Sequence, residues 1–488
     1  MVKSNPIYLL DFYCYKPPEE LLVSMVDIDA AWNEKRKQEG SIFNKDEAAA
    51  KAEAEADAEA QDVIDFQYRV WQKSGLSDNA TYLPKSIHPK FCGNNPRTDM
   101  DSAAAECRMA ICGAVEGVLK KTGLRPENID ILITTCSIFC PTPSISSMVV
   151  NEFKLKKEIQ SYHLGGMGCA NGVVACNLAA DLLKAHPGAV ALFVTNETTT
   201  PAFYKGKDKH RLVTNVLFRM GAAAMILTNK RSLARKAKYR LENRVRVHVG
   251  SKDEAYKCIW YGPDDEGLNG IFLGKDVVKE ASRGLTIAML KIGRSLLNWD
   301  QIAAIAWNQF QMKVMKKNVE QYRPCFAECI DHFLIHAGGA KVLDGIGSNL
   351  KITEDHLWPS RTVLRYFGNV SSSTTWYTLA CVESLRGVRK GDKVLQIGVG
   401  SGIKVGVNQW RALRDIEDVH DAWRIRAEAG DRTRLANVSH GGLHIGLRLL
   451  SLAILALLVA LLYRLFIAHQ AGAPAFSFPA AAHSLKFW

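Results

Sequence analysis

One cysteine stands among four glycines in the stretch His163-Leu164-Gly165-Gly166-Met167-Gly168-Cys169-Ala170-Asn171-Gly172. A polar, strand-like run from Glu158 to His163 leads into it. Behind it, Val173 to Leu183 repeats apolar residues at helical spacing, until His186-Pro187-Gly188 stops the helix. The pattern predicts Cys169 on a tight strand-to-helix turn, at or just before a helix N-terminus. Glycine is suited to such a turn because it takes positive φ and lets a substrate approach the backbone. The unpaired N–H groups and positive dipole end of the helix would favour thiolate over thiol and lower the cysteine pKa. That is the setting of an activated nucleophile. A packed glycine turn around a buried, inert cysteine also fits these residues.

Three other stretches carry groups that could act on an electrophile. His332 to His336 (HFLIH) reads as a short strand running into Ala337-Gly338-Gly339. Arg365 to Val370 (RYFGNV) presents Asn369 just before Ser371-Ser372-Ser373, a run that supplies N-caps for a helix through Glu383. Gly398-Val399-Gly400-Ser401-Gly402 lies between two strands and lacks the helix that a dinucleotide fingerprint needs. His332 and His336 would share one face of a strand, but no third metal ligand accompanies them.

The elements that must hold these groups alternate between strand and helix. Ile7–Tyr15, Ile129–Cys136, Ala189–Thr195, Gly221–Thr228 and Tyr239–Val249 read as strands, and Ala103–Thr122 as a helix with Gly123 as its stop. The order signals an α/β architecture. Ala48 to Gln61 (AAAKAEAEADAEAQ) is an alanine and charge tract that reads as an exposed helix or a disordered insertion. Lys275 to Val319 shows one apolar helix face against lysines and arginines, which fits a surface helix packed on the core, the roof of an acyl channel, or a segment leaning on a membrane.

The 488 residues and 47% hydrophobic composition allow a large core. The 12 cysteines include no CxxC pair and read as reduced thiols. Met1 to Ser24 has no continuous apolar core, so no signal peptide is visible there. The net charge of +12 comes without a nucleic-acid-binding motif and better suits an anionic membrane surface or phosphate-bearing thioesters. Leu449 to Tyr463 runs 15 residues without charge, and the span from Leu443 to Ala468 predicts a C-terminal transmembrane helix. Five arginines precede it (Arg424, Arg426, Arg432, Arg434 and Arg448), which would keep the large domain cytosolic.

GGMGCANG, HFLIHAGG, RYFGNVSSSTTWY and IGVGSGIK occur in this order, together with YLLDFYCYKPP, CPTPSISS and LFRMGAAA. As a set they resemble the 3-ketoacyl-CoA synthases of plant and algal type, the condensing enzymes of very-long-chain fatty-acid elongation, from about Ile7 to Trp410. The resemblance implies a duplicated thiolase-like αβαβα fold, here with one C-terminal transmembrane helix. The expected domains are the start of the condensing domain at 1–32, an insertion at 33–62, a nucleophile half at 63–240 and a His/Asn half at 241–412. A basic linker at 413–442, the transmembrane helix at 443–468 and a tail at 469–488 follow. Two departures stand out: the family's usual pair of N-terminal transmembrane helices does not precede this region, and the insertion is unlike the pattern.

The resemblance assigns Cys169 as nucleophile and His336 and Asn369 as donors to the malonyl thioester oxygen. Backbone N–H groups of the Gly168–Cys169 turn and the Gly400-Ser401-Gly402 loop would hold tetrahedral intermediates. Phe218 resembles the aromatic gate of related condensing enzymes, although plain core packing explains it as well. His332 and His248 are substrate-channel candidates; His163 and Asn171 are compatible with structural roles. The implied substrates are a long-chain acyl-CoA and malonyl-CoA, with no metal and no further cofactor. The expected setting is the endoplasmic reticulum membrane, a homodimer, and an elongase complex with a ketoacyl reductase, a dehydratase and an enoyl reductase; no nucleic acid is expected. Competing readings are a chalcone-type polyketide synthase, a hydroxymethylglutaryl-CoA synthase, a cysteine hydrolase and a non-catalytic elongase scaffold.

Overall fold

The computed structural model describes residues 6–28, 47–93, 95–322 and 324–430. Nine strands form one sheet: β1 Ile7–Cys14, β2 Ile131–Cys136, β3 Gln160–Gly165, β4 Val190–Glu197, β5 Gly221–Thr228, β6 Tyr239–His248, β7 His332–Ile335, β8 Lys393–Gly400 and β9 Lys404–Ala412. Their order is β7-β8-β9-β6-β1-β5-β4-β2-β3. The sheet repeats itself about the antiparallel β1–β6 pair. On one side β1, β5 and β4 are antiparallel neighbours and β2 then joins in parallel. On the other, β6, β9 and β8 are antiparallel and β7 joins in parallel. Every residue of β2, β4, β5 and β7 is buried, as expected of strands covered on both faces.

Among the described residues, the helices of eight residues or more are α1 Glu47–Ser74, α2 Met100–Thr122, α3 Ile145–Phe153, α4 Asn171–Ala185, α5 Lys209–Leu217, α6 Val277–Leu296, α7 Trp299–Lys313, α8 Ala340–Leu350, α9 Glu354–Phe367 and α10 Thr374–Cys381. Local chemistry sets their ends. The Asp99 carboxylate accepts from the Ser102 N–H at 2.8 Å to open α2, and Gly123, in the left-handed region at φ 68°, closes it. α4 ends at Ala185 with His186 as its cap, where the His186-Pro187-Gly188 run was expected to stop it. The part of the 33–62 tract that is described, from Glu47 onward, is helical and continuous with the segment through Ser74.

The chain divides into two compact units. The described part of the first is residues 6–292, apart from 29–46 and 94, together with 330–430; that of the second lies within Gly293–Cys329. Within the first, Trp376, Trp410 and Trp423 are fully buried. Residues 413–430, read from sequence as part of a basic linker, therefore contribute to the core through Trp423.

The expectation of an appended transmembrane helix is corrected. Among the described residues no helix is long and apolar enough to cross a membrane; the long helices α1, α2 and α6 carry charged residues throughout. Residues 443–468 lie outside the described residues. The described residues form the α/β fold.

One buried ionic cluster ties the ends of the first unit together. The Lys238 ammonium lies 2.6 Å from Glu383, 3.0 Å from Asp11 and 2.8 Å from Asp418. Glu383 also accepts from Tyr239 at 2.8 Å and meets His420 at 2.7 Å. Burial by itself would lower the Lys238 pKa, but these three carboxylates override it and hold the ammonium charged. Lys238→Met leaves the Glu383 carboxylate buried without its cation, and we expect it to cost about 3–5 kcal/mol in denaturant unfolding. A loss below about 1 kcal/mol would show that the cluster is not held as a unit.

Candidate active site

Cys169 sits at the end of the turn that leaves β3, two residues before α4. Gly168 takes φ 68°, and a methyl group there would collide with Ser401. Gly400 is equally constrained: its added methyl would stand 2.7 Å from the Cys169 nitrogen. The 400–402 loop therefore packs directly on the cysteine turn, which is why both stretches are rich in glycine.

A chain of polar contacts runs from this turn toward β7. The Ser371 hydroxyl lies 3.3 Å from Cys169 Sγ and 3.0 Å from Glu197 Oε2. Ser371 N–H donates to Asn369 Oδ1 at 2.9 Å, and Asn369 Nδ2 donates to the Gly338 carbonyl at 3.3 Å. Gly338 follows His336 by two residues and donates its N–H to the His336 carbonyl at 3.0 Å. A side chain at position 338 would approach His336 Nε2 to 3.1 Å. Strand β4 supplies Glu197, the turn after β3 supplies Cys169, the end of β7 supplies His336, and the turn after α9 supplies Asn369 and Ser371. Ser371 holds φ 50°, a left-handed backbone uncommon for serine, and its hydroxyl reaches both sulfur and carboxylate.

The electrostatics differ from the sequence expectation for the cysteine. Burial pushes the Cys169 thiol up to about 12, with the Ser371 hydrogen bond opposing that rise and the Glu197 charge adding to it. Desolvation favours the thiol here and opposes the lowering expected at a helix N-terminus. Burial lowers His336 to about 4, which leaves a neutral imidazole. Its Nδ1 is buried and has no hydrogen-bond partner among the described residues. Burial also raises the Glu197 carboxyl, against the pull of the Ser137 and Ile138 N–H groups, which it accepts at 2.8 and 3.0 Å.

The remaining sequence candidates fall in several places. Phe218 ends α5 and forms a one-residue bridge with Asn369. His332 stands at the opposite end of β7 from His336, with Nε2 2.9 Å from Asp392. Among the described residues no group of three or more acidic, histidine or cysteine side chains could hold a metal. His248 is exposed at the end of β6 and accepts from the Gly250 N–H at 3.1 Å. His163 Nδ1 meets Thr134 Oγ1 at 2.9 Å, and Asn171 Nδ2 donates to the Leu164 carbonyl at 3.1 Å. Sequence reasoning passed over Ser371 and Glu197. Ser371 was read only as a helix cap, although it lies two residues from Asn369. Glu197 was detectable as a carboxylate at the end of an apolar strand, where burial is costly unless used.

An apolar cavity of about 350 Å³ lies in the same unit, with Ile64, Trp71, Leu83, Phe203, Leu212 and Val216 among its walls. Val216 and Arg219, which flank Phe218 in the chain, both line it.

This sheet, with its cysteine at the strand-to-helix turn, is the thiolase-like fold of type III polyketide synthases. The chain superimposes on a type III pentaketide synthase from Neurospora crassa with a TM-score of 0.60 at 18% identity, covering 83% of this chain and 99% of that one. For 1,3,6,8-tetrahydroxynaphthalene synthase from Streptomyces coelicolor the TM-score is 0.59 at 19% identity, with 83% and 99% covered. Residues 1–314 match the family described as FAE1/Type III polyketide synthase-like protein, and 308–409 match the C-terminal domain of chalcone and stilbene synthases. Within that class, 3-ketoacyl-CoA synthase 6 of Arabidopsis thaliana is 38% identical over 86% of this chain and 80% of its own length. 3-Ketoacyl-CoA synthase 11 of the same plant is 38% identical over 85% and 77%. The chain belongs to the 3-ketoacyl-CoA synthases, acyltransferases that act as condensing enzymes in very-long-chain fatty-acid elongation.

Proposed function

We propose that this chain joins a long-chain acyl-CoA to malonyl-CoA, with Cys169 as the acyl carrier and His336 and Asn369 as the decarboxylating pair. The observation that carries this assignment is the run of contacts from Cys169 Sγ through Ser371 and Asn369 to the Gly338 carbonyl beside His336. In the first half-reaction Sγ attacks the acyl thioester carbon, the new S–C bond replaces the bond to CoA, and CoA leaves as its thiol. The Cys169 proton passes to Ser371 Oγ while the Ser371 proton passes to Glu197 Oε2, a carboxylate whose raised pKa makes it a willing acceptor, and Glu197 gives that proton back through Ser371 to the departing CoA sulfur. N–H groups of the cysteine turn and of the Gly400–Gly402 loop would face the developing oxyanion.

In the second half-reaction the malonyl carboxylate leaves as CO2, and the electron pair moves onto the thioester enolate. The neutral His336 imidazole and the Asn369 amide would donate to that oxygen. The carbanion then attacks the acyl carbon, forms the C–C bond and returns the sulfur to Cys169. Decarboxylation supplies the carbanion, so this route needs no metal or redox cofactor. The apolar cavity flanking Phe218 suits the alkyl chain of the donor. A 3-ketoacyl-CoA product calls for reduction, dehydration and a second reduction, which is why a ketoacyl reductase, a dehydratase and an enoyl reductase are the fitting partners. A homodimer and a place at the endoplasmic reticulum membrane belong to the same reading.

Purified protein, labelled malonyl-CoA and a ladder of saturated acyl-CoAs should give labelled 3-ketoacyl-CoA two carbons longer than the donor, with one CO2 per product. Cyclised polyketide, or no chain-length-extended product at any donor length, would overturn the assignment. Ser371→Ala should slow acylation about 100-fold and move its pH dependence upward, with decarboxylation far less affected. Unchanged acylation across the pH range would remove the Ser371–Glu197 relay.

A further inference from the structure

Helix α7 in the second unit carries large aromatic side chains on its exposed side. Trp299 is 85% exposed, Trp307 50% and Phe310 44%. They recur at helical spacing on one side, with Ala303 and Ala306 also exposed between them. The Trp307 and Phe310 rings stack at 5.7 Å. Val314 (64% exposed) and Met315 (43%) prolong the strip beyond the helix. Two polar side chains of the same helix, Gln301 and Asn308, turn toward the segment that follows it instead. Gln301 holds the Tyr322 hydroxyl at 2.7 Å and the Cys325 N–H at 3.1 Å. Asn308 binds the Glu320 carbonyl and the Tyr322 N–H, both at 2.9 Å. A helix whose outer side faced only water would show the reverse arrangement.

The charges on the strip point to its partner. Lys313, Lys316 and Lys317 are exposed where the apolar surface ends, and no exposed acidic residue interrupts residues 299–317. Tryptophans with lysines at their border are the composition of a helix lying in the headgroup region of an anionic bilayer. We propose that this face of α7 and the residues just after it rest on an anionic membrane surface, with Trp299, Trp307 and Phe310 at the acyl boundary and the three lysines on lipid phosphates. The contact lies along the membrane plane and does not depend on a crossing helix. It stands whether or not the condensation assigned above is correct, because only lipid contact is read in its test.

The full chain is mixed with phosphatidylcholine vesicles whose acyl chains carry bromine, with and without phosphatidylserine, and tryptophan emission is followed. Bromine quenches only indoles that reach the acyl boundary. With phosphatidylserine present, the wild-type chain should be quenched, and the Trp299→Phe/Trp307→Phe double variant should lose most of that quenching. Lys313→Glu/Lys316→Glu/Lys317→Glu should shift half-maximal quenching to at least about 100-fold more phosphatidylserine-containing lipid. Matching thermal unfolding by circular dichroism confirms that each variant is folded. Equal quenching of wild type and the double tryptophan variant would overturn the proposal. So would shielding of Trp299 and Trp307 from iodide in lipid-free protein, which would mean the chain covers its own strip. A fall in light-scattering mass on Trp307→Ser/Phe310→Ser would assign the face to a second copy and equally overturn it.

Discussion

Cys169→Ala should reduce condensation by at least about 10⁴-fold, with no acyl label retained on the protein after denaturation. The change removes one sulfur that touches Ser371 and leaves the packing of the glycine turn against Ser401 intact, so the fold should survive. Malonyl-CoA decarboxylation should persist in this variant, because the proposed enolate donors lie elsewhere. Acyl label trapped covalently by Cys169→Ala would place the nucleophile at another residue. The raised thiol pKa adds a second expectation. Since burial holds Cys169 at about 12, the resting enzyme at pH 7 should alkylate with iodoacetamide far more slowly at this residue than a thiol of ordinary pKa would. Fast, stoichiometric labelling of Cys169 would mean that a resting thiolate exists and that the Ser371–Glu197 relay is unnecessary.

The second large effect concerns decarboxylation. His336→Ala and Asn369→Ala should each lower CO2 release from malonyl-CoA by about 10²–10³-fold, the usual cost of removing one preorganised oxyanion donor. The two variants should differ in the first half-reaction. No hydrogen bond joins His336 to Ser371 among the described residues, so His336→Ala should keep most of its acylation. Asn369 fixes the Ser371 backbone through Oδ1, and Ser371 must be held at φ 50° for its hydroxyl to reach sulfur. Asn369→Ala should therefore also slow acylation, and Asn369→Asp should restore part of it. With His336 lowered to about 4 by burial, the ring stays neutral from pH 6 to 8, and decarboxylation should show no titration of this group in that window. A step centred near pH 6.5 that disappears in His336→Ala would contradict the neutral-donor role. Normal CO2 release by both variants would end it.

The stretches that carry the family resemblance were legible because they are local. The glycine turn, the HFLIH strand and the FGN turn each announce themselves within ten residues, and their spacing along the chain carried the family resemblance. What escaped was decided by long-range packing. The pKa of Cys169 depends on what buries the turn, and a helix dipole argument contains no such information. Ser371 looked like a cap because a serine run before a helix usually is one; its role follows from a backbone angle and from Glu197, 174 residues away in sequence. His332 shares a strand face with His336 by spacing, yet Asp392 occupies its ring nitrogen. The membrane-crossing segment was read from hydropathy alone, and the described fold contains no such helix.

The distance along the chain between the partners at the cysteine has a consequence for biosynthesis. Ser371 meets Cys169 across 202 residues, and Trp376 donates to the Gly172 carbonyl across 204. Contacts of such sequence separation form late and make folding slow. A nascent polypeptide emerging from the ribosome thus carries the Cys169 turn long before the segment that seats it has been translated. Until Ser371 and its neighbours arrive, the thiol has neither its hydroxyl neighbour nor its pocket, so the relay assigned to this position awaits translation of the C-terminal half.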